Sequence, residues 1–146
     1  MVRSMIDEKR VDRLFDEGFD CSQIVLGEVS ERLGMSREQA YATAACFGIG
    51  MAQGGVCGAA TGALIAIGLR YGNTRSGDME SKKLVFDKRD EFMRRFAEMN
   101  GKVNCPDLLG QRIDTLQDLY LTRTSGLYDR CPGYCVNAVR ILEDIL

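Results

Sequence analysis

Along residues 4–18 the apolar positions Met5, Val11, Leu14 and Phe15 fall on one helical face, and Gly18 closes the run. That spacing predicts a first amphipathic helix. A second is expected from Asp20, where Asp20 and Gln23 have capping-box spacing; it carries Ile24, Val25, Leu26 and Val29 and stops at Gly34. A third opens with Ser36 and Gln39, another such box, and runs through Ala40–Cys46 into Phe47-Gly48-Ile49-Gly50. Met51–Gly55 reads as a glycine-rich turn. A fourth helix is expected from Val56 to about Leu69, ending at Tyr71-Gly72.

After a polar loop at Asn73–Gly77, a long helix is predicted from Asp78 to Met99. It places Val85, Phe92, Phe96 and Met99 on one face, with Asn100-Gly101 as a left-handed stop. Val103-Asn104-Cys105-Pro106 opens a short irregular piece that reaches Gly110. A modest helix follows from Asp114 to about Arg123, broken by Ser125-Gly126. The last starts near Pro132 and turns Cys135, Ala138, Val139, Leu142 and Ile145 or Leu146 inward. No period-two run long enough for a strand occurs. The expected fold is therefore all-α, a compact single-domain bundle spanning residues 1–146, with about five to seven helices.

Composition agrees with one ordinary globular domain: 146 residues, 45% hydrophobic and 27% charged. A net charge of −2 and a pI near 5.2 offer no basic footprint for nucleic acid. Lys82-Lys83 and Arg94-Arg95 sit among acids and read as solvated helix faces. From Ala40 to Leu69 no side chain is charged, but glycines and Gln53 interrupt the run. Its continuously apolar part, Val56–Leu69, is shorter than the ~18 residues that argue for a membrane span. A buried helix is the expectation there. The N-terminus turns charged where a signal peptide would be apolar, so a cytoplasmic location is expected. A homodimer is the base-rate expectation for quaternary structure.

Two absences narrow the chemistry. Without histidine there is no imidazole base, Cys-His pair or histidine metal ligand. There is no tryptophan either. Six cysteines remain: Cys21, Cys46, Cys57, Cys105, Cys131 and Cys135, and in a reducing compartment these more often mean metal or redox work than structural disulfides. Four of them fall at predicted helix starts. Cys21 follows the capping residue Asp20, Cys57 follows Gly54-Gly55-Val56, and Cys105 and Cys131 each precede a proline, which favours the first helical position. Unpaired backbone N–H groups and the positive helix end favour a thiolate there, the form that attacks disulfides and binds metal. Against this, free cysteine is often a small apolar filler. Cys46 and Cys135 fall inside apolar helical patterns and read as core, although Cys131-x-x-x-Cys135 also has the spacing of a metal-binding pair or a strained disulfide. No Cys-x-x-Cys occurs, so neither a thioredoxin motif nor a local zinc knuckle is present.

Gly50, Gly54, Gly58 and Gly62 recur every fourth position, with Ala66 extending the row. Close helix packing explains the helical part of that stripe. A phosphate-cradling reading fails, because glutamine replaces the third fingerprint glycine at Gln53 and no P-loop lysine follows Gly55.

Cys57-Gly58-Ala59-Ala60-Thr61-Gly62 matches the Cys-Gly-Ala-x-x-Gly signature of a bacterial and archaeal family of about this length. Gly18-Phe19-Asp20-Cys21-Ser22-Gln23 resembles that family's first cysteine segment, and Phe47-Gly48-Ile49-Gly50-Met51 its glycine turn. Asn100-Gly101-Lys102-Val103-Asn104-Cys105 with Leu108-Leu109-Gly110 resembles the third segment, and Cys131-Pro132 before Ala138 the fourth. The chain thus resembles the C_GCAxxG_C_C family of redox-active cysteine proteins over about residues 10–146. The resemblance implies a set of Cys21, Cys57, Cys105 and Cys131. Cys135 stands where the family more usually has an aliphatic residue, and Cys46 is likewise extra.

Three functions follow as expectations. Cys21, Cys57, Cys105 and Cys131 converge to ligate a soft metal, as an iron–sulfur cluster or zinc. Alternatively, Cys57 attacks disulfides as a reactive thiolate, one of the others resolves it, and an unidentified redox partner supplies or accepts the electrons. Thirdly, the chain is a non-enzymatic helical module whose cysteines are core. Asp20, Tyr71 and Tyr134 lie beside the cysteine segments or the glycine helix, where they tune the site or merely cap and pack.

Overall fold

The computed structural model describes residues 4–146. Among these it contains eight α-helices: α1 (Glu8–Asp16), α2 (Cys21–Val29), α3 (Arg37–Ala44), α4 (Gly58–Tyr71), α5 (Met79–Asn100), α6 (Cys105–Leu109), α7 (Leu116–Thr124) and α8 (Cys131–Ile145). Short 3-10 turns occupy Glu31–Leu33 and Leu127–Arg130. The all-helical expectation holds, with slightly more helices than foreseen. The extra one, α6, is a five-residue helix, too short to leave a readable period in the sequence.

Local chemistry sets the helix ends. Asp7 caps α1 by accepting from the Arg10 amide at 2.8 Å, so the first helix starts later than the apolar pattern suggests. Ser4 ties the N-terminal segment down. Its hydroxyl donates to Glu28 on α2 at 2.7 Å and its amide to Glu143 on α8 at 2.7 Å. Those carboxylates are buried, and Arg10 pairs with Glu28 at 2.9 Å. Ser36 and Gln39 form the expected capping box of α3, and Gly101, with φ 89°, stops α5. The third helix was expected to reach Cys46 and beyond. It ends at Ala44, and Cys46 lies exposed, not in the core.

The layers follow from small residues. Helix α2 is apolar on nearly every face and packs against α3, α4 and α8; α5 covers α4 and α8 from the other side. A Cβ added to Gly62 would stand 2.5 Å from the Ser22 carbonyl oxygen, so α4 approaches α2 backbone to backbone. Phe92, Phe96, Ile24, Leu26, Ile67 and Leu142 fill the centre, each contributing about 1.5–3 kcal/mol by burial. The glycine stripe within α4 is thus helix packing, as expected.

Between α3 and α4 the backbone turns left-handed for four successive residues, Ile49, Gly50, Met51 and Ala52, with φ of 54°, 58°, 60° and 57°. Each non-glycine residue there costs about 1–2 kcal/mol. A Cβ on Gly50 would lie 2.2 Å from the Gly55 nitrogen, which is why the turn closes through a glycine. Among the described residues no helix is long and apolar enough to cross a membrane.

Candidate functional site

The left-handed turn delivers Gly55 and Val56 to a short antiparallel bridge with Asn104. The Cys57 amide donates to Val103 O at 2.8 Å, and the Cys105 amide donates to Gly55 O at 2.8 Å. Backbone bonding therefore sets the start of α4 beside the start of α6. Cys57 is the N-cap of α4, and Cys105 is the first residue of α6, with Pro106 second.

Cys21 opens α2 behind Asp20, whose amide donates to the Gln23 side chain at 2.9 Å. A Cβ on Gly58 would come 3.3 Å from Cys21 Cβ. The glycine after Cys57 is what lets Cys21 approach. Cys131 opens α8 ahead of Pro132, and Cys135 follows one turn later. The start of α8 is tethered to α6, because Arg130 and Tyr134 donate to Leu108 O at 3.2 and 3.1 Å. Four helices from separate parts of the chain thus bring their first turns together.

Cys21, Cys57, Cys105, Cys131 and Cys135 belong to one buried cluster, none more than 6% exposed. The neighbouring Cys131 and Cys135 thiols hold the pKa of Cys21 well below the ordinary thiol value despite burial. The opposite holds around it. Burial, then the charge on Cys21, push Cys57 up; the Ala59 and Ala60 amides at the helix start pull the other way but are outweighed. Burial and Cys21 push Cys105 up to about 12. Cys131 and Cys135 are raised first by the neighbouring Cys21 and then by burial. The helix-start cysteines do lie at helix starts, yet burial, more than the helix ends, raises Cys57 and Cys105.

Cys135 is the member that sequence reading assigned to the core. It is fully buried in the core, as expected, and it neighbours the cysteine cluster closely enough for Cys21 to raise its pKa. The signal available for it was its one-turn spacing from Cys131. Cys46 is exposed and outside the cluster. All six cysteines are free thiols. Among the described residues no group of three or more Cys, His, Asp or Glu is placed to hold a metal ion. Tyr71 donates to Ile145 O at 2.9 Å and serves packing. A cleft of about 270 Å³ lined by Asp12, Phe15, Asp16, Gly18, Phe19, Asp20 and Asp129 opens beside the start of α2; no cysteine lines it.

The family model C_GCAxxG_C_C, described as "Putative redox-active protein", matches residues 19–145. The chain belongs to this family. The region matched by the C_GCAxxG_C_C family contains all six cysteines. No curated protein and no solved structure matches the chain.

Proposed function

We propose that this member of the family is a thiol–disulfide redox protein in which Cys21 is the reacting sulfur. One observation carries the reading: the starts of α2, α4, α6 and α8 meet with Cys21, Cys57, Cys105 and Cys131 buried there as free thiols, and of these Cys21 is the one whose pKa its neighbours lower. A lowered pKa favours the charged form, and a thiolate is the species that attacks a disulfide. Cys57, the sequence choice for this role, is held protonated by burial and by the charge on Cys21.

The reaction runs in two exchanges. Cys21 S⁻ attacks one sulfur of a partner's disulfide, that S–S bond breaks, and the first partner sulfur leaves as a thiolate. Cys131 then gives up its proton and attacks the Cys21 sulfur. The second partner sulfur departs and takes that proton. Two electrons have passed from two cysteines to the partner, and an internal disulfide remains. At 5% exposure, Cys21 is reached only when the first turns of α2 or α8 open locally.

The test is equilibration in a glutathione redox buffer, acid quenching and intact-mass measurement. Wild type is expected to lose two hydrogens reversibly, and Cys21→Ser to lose none. A Cys21→Ser protein that oxidises like wild type overturns the reading.

The metal alternative, a cluster or zinc on Cys21, Cys57, Cys105 and Cys131, is supported by the convergence of four soft donors. Metal and acid-labile sulfide analysis of protein purified without oxygen separates the two. Stoichiometric metal would favour this second reading.

A further inference from the structure

Resting on the thiol–disulfide reading of the same site, we infer that Gly48 is a positioning residue for Cys21: with Gly58 and Gly62 it forms a socket that seats the start of α2. Asp20, Cys21 and Ser22, the cap and first two residues of that helix, each meet a different glycine. A Cβ on Gly48 would lie 2.5 Å from Asp20 Cβ and 2.7 Å from its Oδ2. One on Gly58 would lie 3.3 Å from Cys21 Cβ, and one on Gly62 would lie 2.5 Å from the Ser22 carbonyl oxygen. The Gly58 position also faces Phe47 O at 3.1 Å and Gly48 Cα at 3.2 Å. The segment before the left-handed turn and the start of α4 therefore close on α2 at one place. From the α3 side, the Ser22 hydroxyl donates to Ala44 O at 2.8 Å.

None of these three glycines has a left-handed backbone, so it is the missing side chain that the socket uses. Gly58 and Gly62 belong to the signature Cys57-Gly58-Ala59-Ala60-Thr61-Gly62. The segment that begins with Cys57 is thus shaped around Cys21. Gly48 lies outside both the signature and the every-fourth row, and only the fold brings it to Asp20. Two carbons at 2.5 Å stand well inside an ordinary contact of roughly 3.5–4.0 Å, so a methyl at position 48 displaces the start of α2 by about 1 Å. Asp20 Cβ cannot swing aside, being fixed to the backbone next to Cys21. Disulfide geometry is specific, so this displacement acts on any bond that Cys21 forms as well as on stability.

The experiment titrates wild type, Gly48→Ala, Asp20→Gly, the double variant and Phe96→Leu against glutathione couples. Peptide mass follows oxidation of Cys21, and urea unfolding is recorded for each protein. Glycine is a tolerated helix cap, and Phe96→Leu weakens the core from α5, which holds no socket glycine. Gly48→Ala is expected to need a glutathione ratio about three- to tenfold more oxidising for half-oxidation of Cys21. It should have no further effect beside Asp20→Gly, where the opposing Cβ is gone, and Phe96→Leu should lose stability without the shift. A Gly48→Ala midpoint equal to wild type, an undiminished shift beside Asp20→Gly, or an equal shift in Phe96→Leu overturns the inference and leaves the broader reading standing. Wild type in which Cys21 never oxidises overturns both. Should Gly48→Ala fail to fold, Gly58→Ala, whose added Cβ meets its neighbours at 3.1–3.3 Å, is expected to shift the midpoint in the same direction; no shift there overturns the inference.

Discussion

Cys57 and Cys105 share a two-rung backbone bridge, the Cys57 amide on Val103 O and the Cys105 amide on Gly55 O, each at 2.8 Å. Their thiols are therefore positioned by main-chain hydrogen bonds, which hold through side-chain substitution. What keeps the bridge aligned is Gly54. Its φ is +70°, and a Cβ there would lie 2.8 Å from Ile113 O and 2.9 Å from Pro106 Cγ.

Gly54→Ala is accordingly predicted to destabilise the protein by about 1–3 kcal/mol and to loosen α6. Urea unfolding reads the first effect, and faster alkylation of Cys105 reads the second. Unchanged stability with unchanged Cys105 alkylation would contradict the bridge as the positioning device.

Much of this was legible beforehand, for specific reasons. Ser36 with Gln39, and Asn100 with Gly101, advertise helix ends through short-range chemistry, and those ends were found. Cys21, Cys57, Cys105 and Cys131 were selected by their place at helix starts. The misses have other causes. Ser4 leaves the first helix because Glu28 and Glu143, far along the chain, claim its polar groups. Cys46 looks like core because it sits in an apolar run, but α3 ends at Ala44 and leaves it exposed. Protonation was the least legible, since desolvation depends on everything packed around the thiols.

Two glycines in α4 make an internal comparison. At Gly62 a Cβ meets the Ser22 carbonyl oxygen at 2.5 Å, whereas at Gly68 it meets nothing within 4 Å. Gly62→Ala is predicted to cost about 1–3 kcal/mol. Gly68→Ala is predicted to stabilise by about 0.5–1 kcal/mol through helix propensity. Thermal unfolding of both checks this; equal effects would contradict the close approach of α2 and α4.

Stability should also fall in alkali. Cys105 is raised from 9.0 to about 12. Its contribution is complete below the unfolded value of 9.0 and is lost as pH rises through that interval, because the unfolded chain has released a proton the native state retains. The slope from one such group is at most about 1.4 kcal/mol per pH unit. Cys21 works in the opposite sense: its lowered value adds stability above the ordinary thiol range that is lost as pH falls through its native value. Cys105→Ser is predicted to flatten the decline between pH 9 and 12 in denaturant titrations at fixed ionic strength. An unaltered slope would show that Cys105 is not held protonated.

The Tyr134 hydroxyl donates to Leu108 O at 3.1 Å and helps pin the start of α8. Tyr134→Phe removes that bond at a cost of about 0.5–1.5 kcal/mol. If local opening of α8 limits access to Cys21, oxidation by glutathione should then quicken about three- to tenfold, in proportion to the opening equilibrium. Stopped oxidation time courses measure this. A slower or unchanged rate would place the opening elsewhere.

The most direct measurement is a redox titration of the full chain against glutathione couples, with acid-quenched intact mass recorded at each potential. The account predicts one reversible two-electron transition, with the mass falling by two hydrogens and Cys21 in the disulfide formed. Six free thiols across the whole range would contradict it.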